Sequence, residues 1–259
     1  MKKTVIQSYM RTIICLFSFI LCNQLAASQN PEIISTKNGE IKVYPILHAT
    51  MAIQYQEFTI YVDPYGGKEA FEGVPNPNLI LITDIHGDHM NLETLNELGA
   101  QSTQIIAPQA VVDKLTSTFT NLSVLTNGET TSIQGIDIEA IPMYNLPEDS
   151  SSRHPRGRGN GYVLTIGAKR IYISGDTEDI AEMRSLEDID IAFVCMNLPY
   201  TMTVEAAADA VMEFKPKVAY PFHYRGKNGF SDIETFKRLI NVSSDQIEVR
   251  LVNWYPERE

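Results

Sequence analysis

The order of apolar and polar stretches predicts an α/β protein. Short apolar runs bounded by Gly, Pro, Asn or Asp alternate with segments whose apolar residues recur at helical spacing, which is the pattern of strands layered against helices. The 259 residues are 44% hydrophobic and 20% charged, an ordinary globular composition with enough apolar mass for one large domain. Several apolar runs also stop at an aspartate or a histidine, and the ends of strands are where α/β proteins place ligands.

The first 28 residues read differently from the rest. Lys2, Lys3 and Arg11 precede the apolar run Thr12–Cys22, and Ala26-Ala27-Ser28 supplies small residues, the order of a secretory signal peptide whose apolar part is too short for a typical membrane span. Residues 1–28 are therefore expected to be removed. The mature chain, 29–259, would be exported to the periplasm or secreted, with no membrane span. Cys22 is preceded by Leu21, larger than the residue that lipoprotein processing needs, so a lipid there is not expected. Without the leader, 21 basic against 32 acidic residues becomes 18 against 32, a net charge of −14. Such a surface disfavours nucleic acid and anionic lipid as electrostatically recruited partners. The remaining cysteine, Cys195, lies in an apolar run and reads as a small buried hydrophobe.

Residues Ile41–Ile46 precede two expected strands, Met51–Tyr55 and Phe58–Val62, joined tightly at Gln56-Glu57 and stopped by Asp63-Pro64. His48, just before this hairpin, reads as a hydrogen-bonded structural histidine rather than a pocket residue. Residues 65–77, with three glycines and two prolines, form a loop. The apolar run from Leu79 to Ile82 reads as a buried strand, after which Asp84, His86, Asp88 and His89 crowd into the loop at its end. Alternation along extended backbone aims Asp84, His86 and Asp88 toward one point and His89 toward another side of it, which suits two neighbouring metals better than one. Asn91 then caps a helix to about Leu98, with Leu92, Leu95 and Leu98 on a buried face and Gly99 as its stop. A strand at Ile105–Ala107, a helix at Gln109–Leu115 and short strands with turns at Asn127-Gly128 and Gly135 lead to Tyr144.

Residues 147–161 are irregular, and His154 inside that Gly- and Arg-containing loop has little to pack against. Arg156 and Arg158 beside it could neutralise an anionic substrate or be merely solvated. Strands are expected at Tyr162–Ile166, Arg170–Ser174, Ile189–Met196, Val218–Phe222 and Ile247–Trp254, and helices at Glu178–Leu186, Val204–Phe214 and Ile233–Ile240. Asp176 and His223 each follow a strand, as Asp84–His89 do. That shared placement predicts that they converge.

The stretch LILITDIHGDH, residues 79–89, resembles the metallo-β-lactamase superfamily, whose pattern is HxHxDH after a buried strand; here Asp84 stands where the first histidine is expected. The downstream histidine, aspartate and histidine of the family have candidates in His154, Asp176 and His223. The resemblance implies a four-layer αββα sandwich, which alternation alone does not specify, and HPRGRGNGY at 154–162 looks more like the broad single-domain hydrolase branch than a dedicated β-lactamase. It also implies a dinuclear centre of two divalent ions, zinc in the first instance. His86, His154 and Asp84 would hold one ion, Asp88, His89 and His223 the second, and Asp176 would bridge. Asp88 is in addition the candidate catalytic residue, orienting the attacking water or passing on its proton. A carboxylate at Asp84 adds a negative charge and a hard oxygen donor, which would favour Mn²⁺ or Fe²⁺ at that position.

The expected activity is hydrolysis of an ester, lactone, amide or phosphodiester bond in a small-molecule substrate, by water activated between the metals. Asn160, Asn197 and Tyr224 are near these residues in sequence and could contact substrate or only support the loops. The rival reading is an exported metal- or ligand-binding protein that keeps the fold without catalysis. Nothing in the sequence selects a substrate or an oligomeric state.

Overall fold

A computed structural model describes residues 30–256, so the expected leader lies outside the described residues. Among the described residues sixteen strands and five α-helices follow one another. The first half contains β1 (Glu32–Thr36), β2 (Gly39–Leu47), β3 (Thr50–Tyr55), β4 (Phe58–Val62), β5 (Leu79–Leu81), α1 (Leu92–Glu97), β6 (Gln104–Ala107), α2 (Gln109–Leu115) and β7 (Leu122–Val124). The second contains β8 (Thr130–Ile133), β9 (Ile136–Met143), β10 (Gly159–Ile166), β11 (Lys169–Ile173), α3 (Ala181–Arg184), β12 (Ile191–Cys195), α4 (Val204–Phe214), β13 (Val218–Phe222), β14 (Arg225–Gly226), β15 (Gly229–Phe230), α5 (Ile233–Ser243) and β16 (Glu248–Val249).

Strands β1 to β7 form one seven-stranded sheet in chain order, and the other runs β16-β13-β12-β11-β10-β9-β8. Each sheet opens as an antiparallel meander and ends in parallel strands. The switch comes at β4 in the first sheet and at β11 in the second. The chain crosses between sheets within a few residues, since Leu125 N–H donates to Ala107 O at 3.0 Å and Gly128 N–H to Ala140 O at 2.7 Å.

Period-two alternation assigns the two faces of the first sheet. Ile41, Val43, Met51, Ile53, Ile60, Val62, Leu79 and Leu81 point into the layer between the sheets. Their neighbours Tyr44, Ala52, Tyr61, Ile80 and Ile82 face outward, where Leu95 of α1 and Val111, Val112 and Leu115 of α2 cover them. On the far side, α4 and α5 bury Ala207, Val211, Phe236 and Ile240 against the second sheet. These helix, sheet, sheet and helix layers are the αββα arrangement.

Three expected elements are shorter or turned. Leu92 is 43% exposed, because the buried face of the short α1 is formed by Thr94 and Leu95 instead. The helix expected at residues 178–186 is reduced to α3, since the Glu178 N–H is committed to Tyr144 O at 2.9 Å and holds that loop off helical geometry. The last expected strand survives only as β16; beyond it the chain leaves the sheet and inserts Trp254, fully buried, into the core. The strand β1 and the small β14–β15 hairpin carry no strong periodic signal and were not expected. Among the described residues no helix is long and apolar enough to cross a membrane.

Candidate metal centre

Parallel pairing decides where the functional residues meet. β4 and β5 pair in parallel, as do β11, β12 and β13, so their C-terminal ends lie at one edge of each sheet. Asp63, the Thr83–His89 loop, Asp176, Asn197 and His223 each follow one of those ends directly. The long β9–β10 connection returns across the same edge and adds His154 and Arg158.

Asp176 is the hub. Its Oδ2 lies 3.4 Å from His89 Nε2 and 3.2 Å from His154 Nε2, and its Oδ1 lies 3.0 Å from His223 Nε2. On one side His86 Nδ1 approaches Asp84 Oδ2 at 2.6 Å, with His154 Nε2 4.0 Å from the same oxygen. On the other side Asp88 Oδ2 is 3.9 Å from His89 Nε2 and 3.8 Å from His223 Nε2. All seven residues expected from the sequence therefore gather in one place. They form two clusters that could each hold an ion, Asp84-His86-His154 and His89-Asp176-His223, flanked by a third group of His48, Asp88 and His223.

Most of this cluster is buried, and its donor atoms are left without ordinary partners. His86 Nδ1, His89 Nε2, both nitrogens of His154 and Asp176 Oδ1 are shielded from solvent and have no hydrogen-bond partner, although carboxylate oxygens lie close by. Close N···O approaches without hydrogen-bond geometry, at buried atoms that would each carry a cost if left alone, are what atoms arranged around a shared cation show. The electrostatics agree. Burial would depress the His89 imidazole, but Asp176, Asp63 and Asp88 outweigh it and hold it well above the usual histidine value, so the pocket favours positive charge at that nitrogen. Burial would raise the Asp176 carboxyl, and the His223 and His89 charges outweigh it and hold it well below the usual range. The residues present thus fit divalent metal ions bound by nitrogen and oxygen donors.

Behind the cluster stands a residue not expected from the sequence. Asp63, buried at the end of β4, accepts from Thr83 N–H at 2.7 Å and from Thr83 Oγ1 at 2.6 Å, and its Oδ2 lies 2.8 Å from His89 Nδ1. That contact sets the His89 tautomer with its Nδ1–H toward Asp63 and turns Nε2 into the pocket. Asp63-Pro64 read only as a strand stop. The rule that flagged Asp84 and Asp176, an acid at a strand's C-terminal end, applies to it equally.

His48 is hydrogen-bonded, as expected, yet it lines the pocket. Its backbone adopts φ 61°, the left-handed region that costs energy for a non-glycine residue, and its N–H is held by Trp254 O at 3.1 Å. Its Nδ1 is 2.7 Å from the Tyr255 hydroxyl and 3.0 Å from His223 Nδ1, and its Nε2 is 3.3 Å from Asp88 Oδ2. Burial pushes His48 down to about 4, so it is neutral at pH 7. The Asp88 contact suits the tautomer in which Nε2–H donates to Asp88, which leaves Nδ1 a single lone pair facing the Tyr255 hydroxyl and His223 Nδ1. Burial works to raise the Asp88 carboxyl, but His89, the His48 hydrogen bond and His223 keep it below the usual range and therefore ionised.

The pairing of Asp84 changes what its substitution means. Arg158 Nε donates to Asp84 Oδ1 at 3.1 Å and Nη2 to Oδ2 at 3.0 Å, a bidentate pair around a carboxylate with no exposed surface. The charge that Asp84 adds is cancelled by Arg158, so the pair presents the cluster with the net charge of a neutral histidine. Arg158 is accordingly not available for substrate. Neither is Arg156, whose guanidinium pairs with Glu148 at 2.8 Å and Glu182 at 2.6 Å. Of the three other candidates, Asn197 Nδ2 lies 3.1 Å from His223 Nε2 at the centre. Asn160 is buried, bonding Leu125 O and Asn127, and the Tyr224 hydroxyl accepts from Trp254 N–H at 3.4 Å, so both serve the frame.

Comparison with known proteins agrees with this frame. A family model described as a β-lactamase superfamily domain matches residues 42–223. The chain is 28% identical over 212 residues to a UPF0173 metal-dependent hydrolase of Pyrococcus abyssi, covering 77% of this chain and 92% of the relative. Among solved structures it is similar to a protein of Parabacteroides distasonis assigned as a metal-dependent hydrolase. That pair shares 40% identity at a TM-score of 0.76, over 85% of this chain and 97% of the other. The metallo hydrolase Igni18 of Ignicoccus hospitalis, 21% identical with a TM-score of 0.70 over 82% of this chain and 95% of the other, shares the fold. The matched span runs from the strand before His48 through His223, so the segment that builds the centre is the segment that carries the likeness, and the chain belongs to the β-lactamase superfamily.

Proposed function

We propose that the protein is an exported hydrolase that uses two divalent metal ions, zinc in the first instance, against an ester, lactone, amide or phosphodiester bond of a small molecule. Metal-dependent hydrolysis is the coarser part, and family and site agree on it; the second ion, the metal's identity, the bond and export are the finer parts. The observation that carries the reading is Asp176, a buried carboxylate within 3.0–3.4 Å of Nε2 of His89, His154 and His223. In this reading His86, His154 and Asp84 hold one ion, His89, Asp88 and His223 the other, and Asp176 is shared. Bound ions would supply the acidity that makes water a nucleophile near neutral pH and the positive charge that offsets a developing oxyanion.

The chain's own residues do the rest. Asp88 is ionised, 32% exposed at its side chain and braced by His48, so it can orient the attacking water or take its proton without being drawn inward. Asp63 holds His89 in one tautomer. Walls of buried strand ends keep bulk water from the inner face of the cluster.

The test is elemental analysis of purified protein together with turnover of generic carboxylic esters and bis-phosphoesters before and after chelation. Two ions per chain and chelation-sensitive turnover, both lost in Asp176→Ala, are expected. Full metal with no turnover of any substrate would favour the non-catalytic reading. For export, mass spectrometry of the native protein should find a start near Gln29, and an intact Met1 or a lipid on Cys22 would overturn it.

A further inference from the structure

The rim of the centre carries two arginines that have no counter-ion among the described residues, although acidic residues outnumber basic ones 32 to 21 in the sequence. Of the eight arginines among the described residues, Arg156, Arg158, Arg170, Arg184 and Arg250 form ion pairs. Arg153, Arg225 and Arg238 do not, and two of these three flank the centre. Arg153 immediately precedes His154, and its guanidinium lies 4.4 Å from the centroid of the Tyr200 ring. Arg225 follows His223 by two residues, and its guanidinium lies 5.0 Å from the Tyr255 ring, whose hydroxyl touches His48. A guanidinium resting on an aromatic face is held in place while its N–H edge stays free for an anion.

The two positions belong to one continuous wall. The β14–β15 hairpin packs on the loop after β12: Lys227 N–H donates to Leu198 O at 2.9 Å, and a Cβ at Gly226 would collide with that same carbonyl. The loop is tied onward to the first cluster, because Asn145 Nδ2 donates to Tyr200 O at 2.8 Å while Asn145 Oδ1 accepts from His154 N–H at 2.8 Å. Between the arginines this wall is apolar and open to solvent, with Leu146 and Leu198 each 41% exposed and Phe230 61% exposed. Exposed large apolar side chains next to fixed, unpaired cations form an amphipathic lining at the mouth of a polar pocket.

We propose that Arg153 and Arg225 determine specificity, selecting substrates that carry an anionic group, carboxylate or phosphate, on an apolar stem away from the bond that is cut. The proposal rests on the hydrolase reading. The centre takes the scissile group, the apolar wall takes the stem and the arginines take the charge.

The test compares kcat/KM of metal-loaded protein for three 4-nitrophenyl esters of matched length: a glutarate monoester, a phosphate-terminated analogue and the neutral valerate. Wild type should favour at least one anionic ester over the neutral one by about tenfold at low salt, the preference shrinking as salt rises. In Arg153→Gln/Arg225→Gln the anionic-to-neutral ratio should fall toward one through KM, with partial recovery in the double lysine variant. Which anionic ester is favoured identifies the head group. A ratio near one in wild type, or one unchanged in the double glutamine variant, would overturn the proposal. If wild type turns over none of the three, carboxylic esters are not its substrates, while the lactone, amide and phosphodiester forms of the hydrolase reading stand. The rim is then judged by calorimetry of phenyl phosphate on metal-free protein: affinity about tenfold weaker in the double variant supports it, and equal affinity or no binding overturns it.

Discussion

Replacing Arg158 by methionine isolates what the Asp84–Arg158 pair does. In the metal-free protein the change leaves a carboxylate of zero exposed surface without its two charge-assisted hydrogen bonds. Breaking a buried pair by removing one partner typically costs about 3–5 kcal/mol, because the remaining charge is uncompensated. For a domain of this size each kcal/mol moves the melting temperature by about 2–4 °C, so the metal-free variant should melt roughly 6–20 °C lower. With metal the loss should be smaller, since a cation among Asp84, His86 and His154 restores positive charge beside Asp84 Oδ2. By linkage the variant should then bind metal more tightly than wild type, by about tenfold, as the local charge has become more negative. Asp84→His combined with Arg158→Met returns the net charge to neutral and should recover most of the stability. Differential scanning fluorimetry with and without metal, and competition with a chelating dye, measure both quantities. Equal losses in the two states with an unchanged metal affinity would show that the pair is a structural ion pair with no bearing on the centre.

Two further predictions concern support and pH. Asp63→Asn keeps the volume but removes the charge that orients His89, and should weaken metal affinity by about 10–100-fold in the same competition assay. Asn and wild type binding alike would mean that Thr83 alone fixes the ring. Asp190, outside the centre, is pushed up by burial but pulled lower overall by Lys217, the Arg170 N–H and Lys169, with Lys217 Nζ at 2.8 Å and Lys169 Nζ at 3.0 Å from Oδ1. A carboxylate whose folded value is depressed stabilises above its unfolded value of about 3.9 and loses that contribution as pH falls through the folded value. Asp190→Asn should therefore lower the melting temperature by about 2–4 °C at pH 7, consistent with a partly exposed pair worth about 1 kcal/mol, and the gap should close below about pH 4. A gap independent of pH would assign the effect to packing.

Element by element, the local patterns were readable where a strand or helix had a strong period and a clear stop. α2, α4 and β13 occupy the bounds that periodicity predicts, and Asn91 accepts from Thr94 N–H as an N-cap should. Where a tertiary hydrogen bond competes with local preference, the prediction fails. The Glu178 N–H bonded to Tyr144 O shortens α3, and the pull of Trp254 into the core removes most of the last strand.

At the centre the same division holds. Residue types and their placement after strands pointed to Asp84, His86, Asp88, His89, Asp176 and His223, because ligand chemistry is a property of the side chain and strand ends follow from period-two runs, while His154, in an irregular loop, joined them through the family resemblance. Pairings across long separations were not readable. Asp84 meets Arg158 over 74 residues, and His48 meets Tyr255 over 207, through contacts that exist only once two sheets have stacked and their parallel edges have aligned. The sequence by itself therefore determined which groups could bind metal. Tertiary structure decided which of their charges are cancelled, which tautomers are held and which arginines remain free, because those depend on distances that no local pattern encodes.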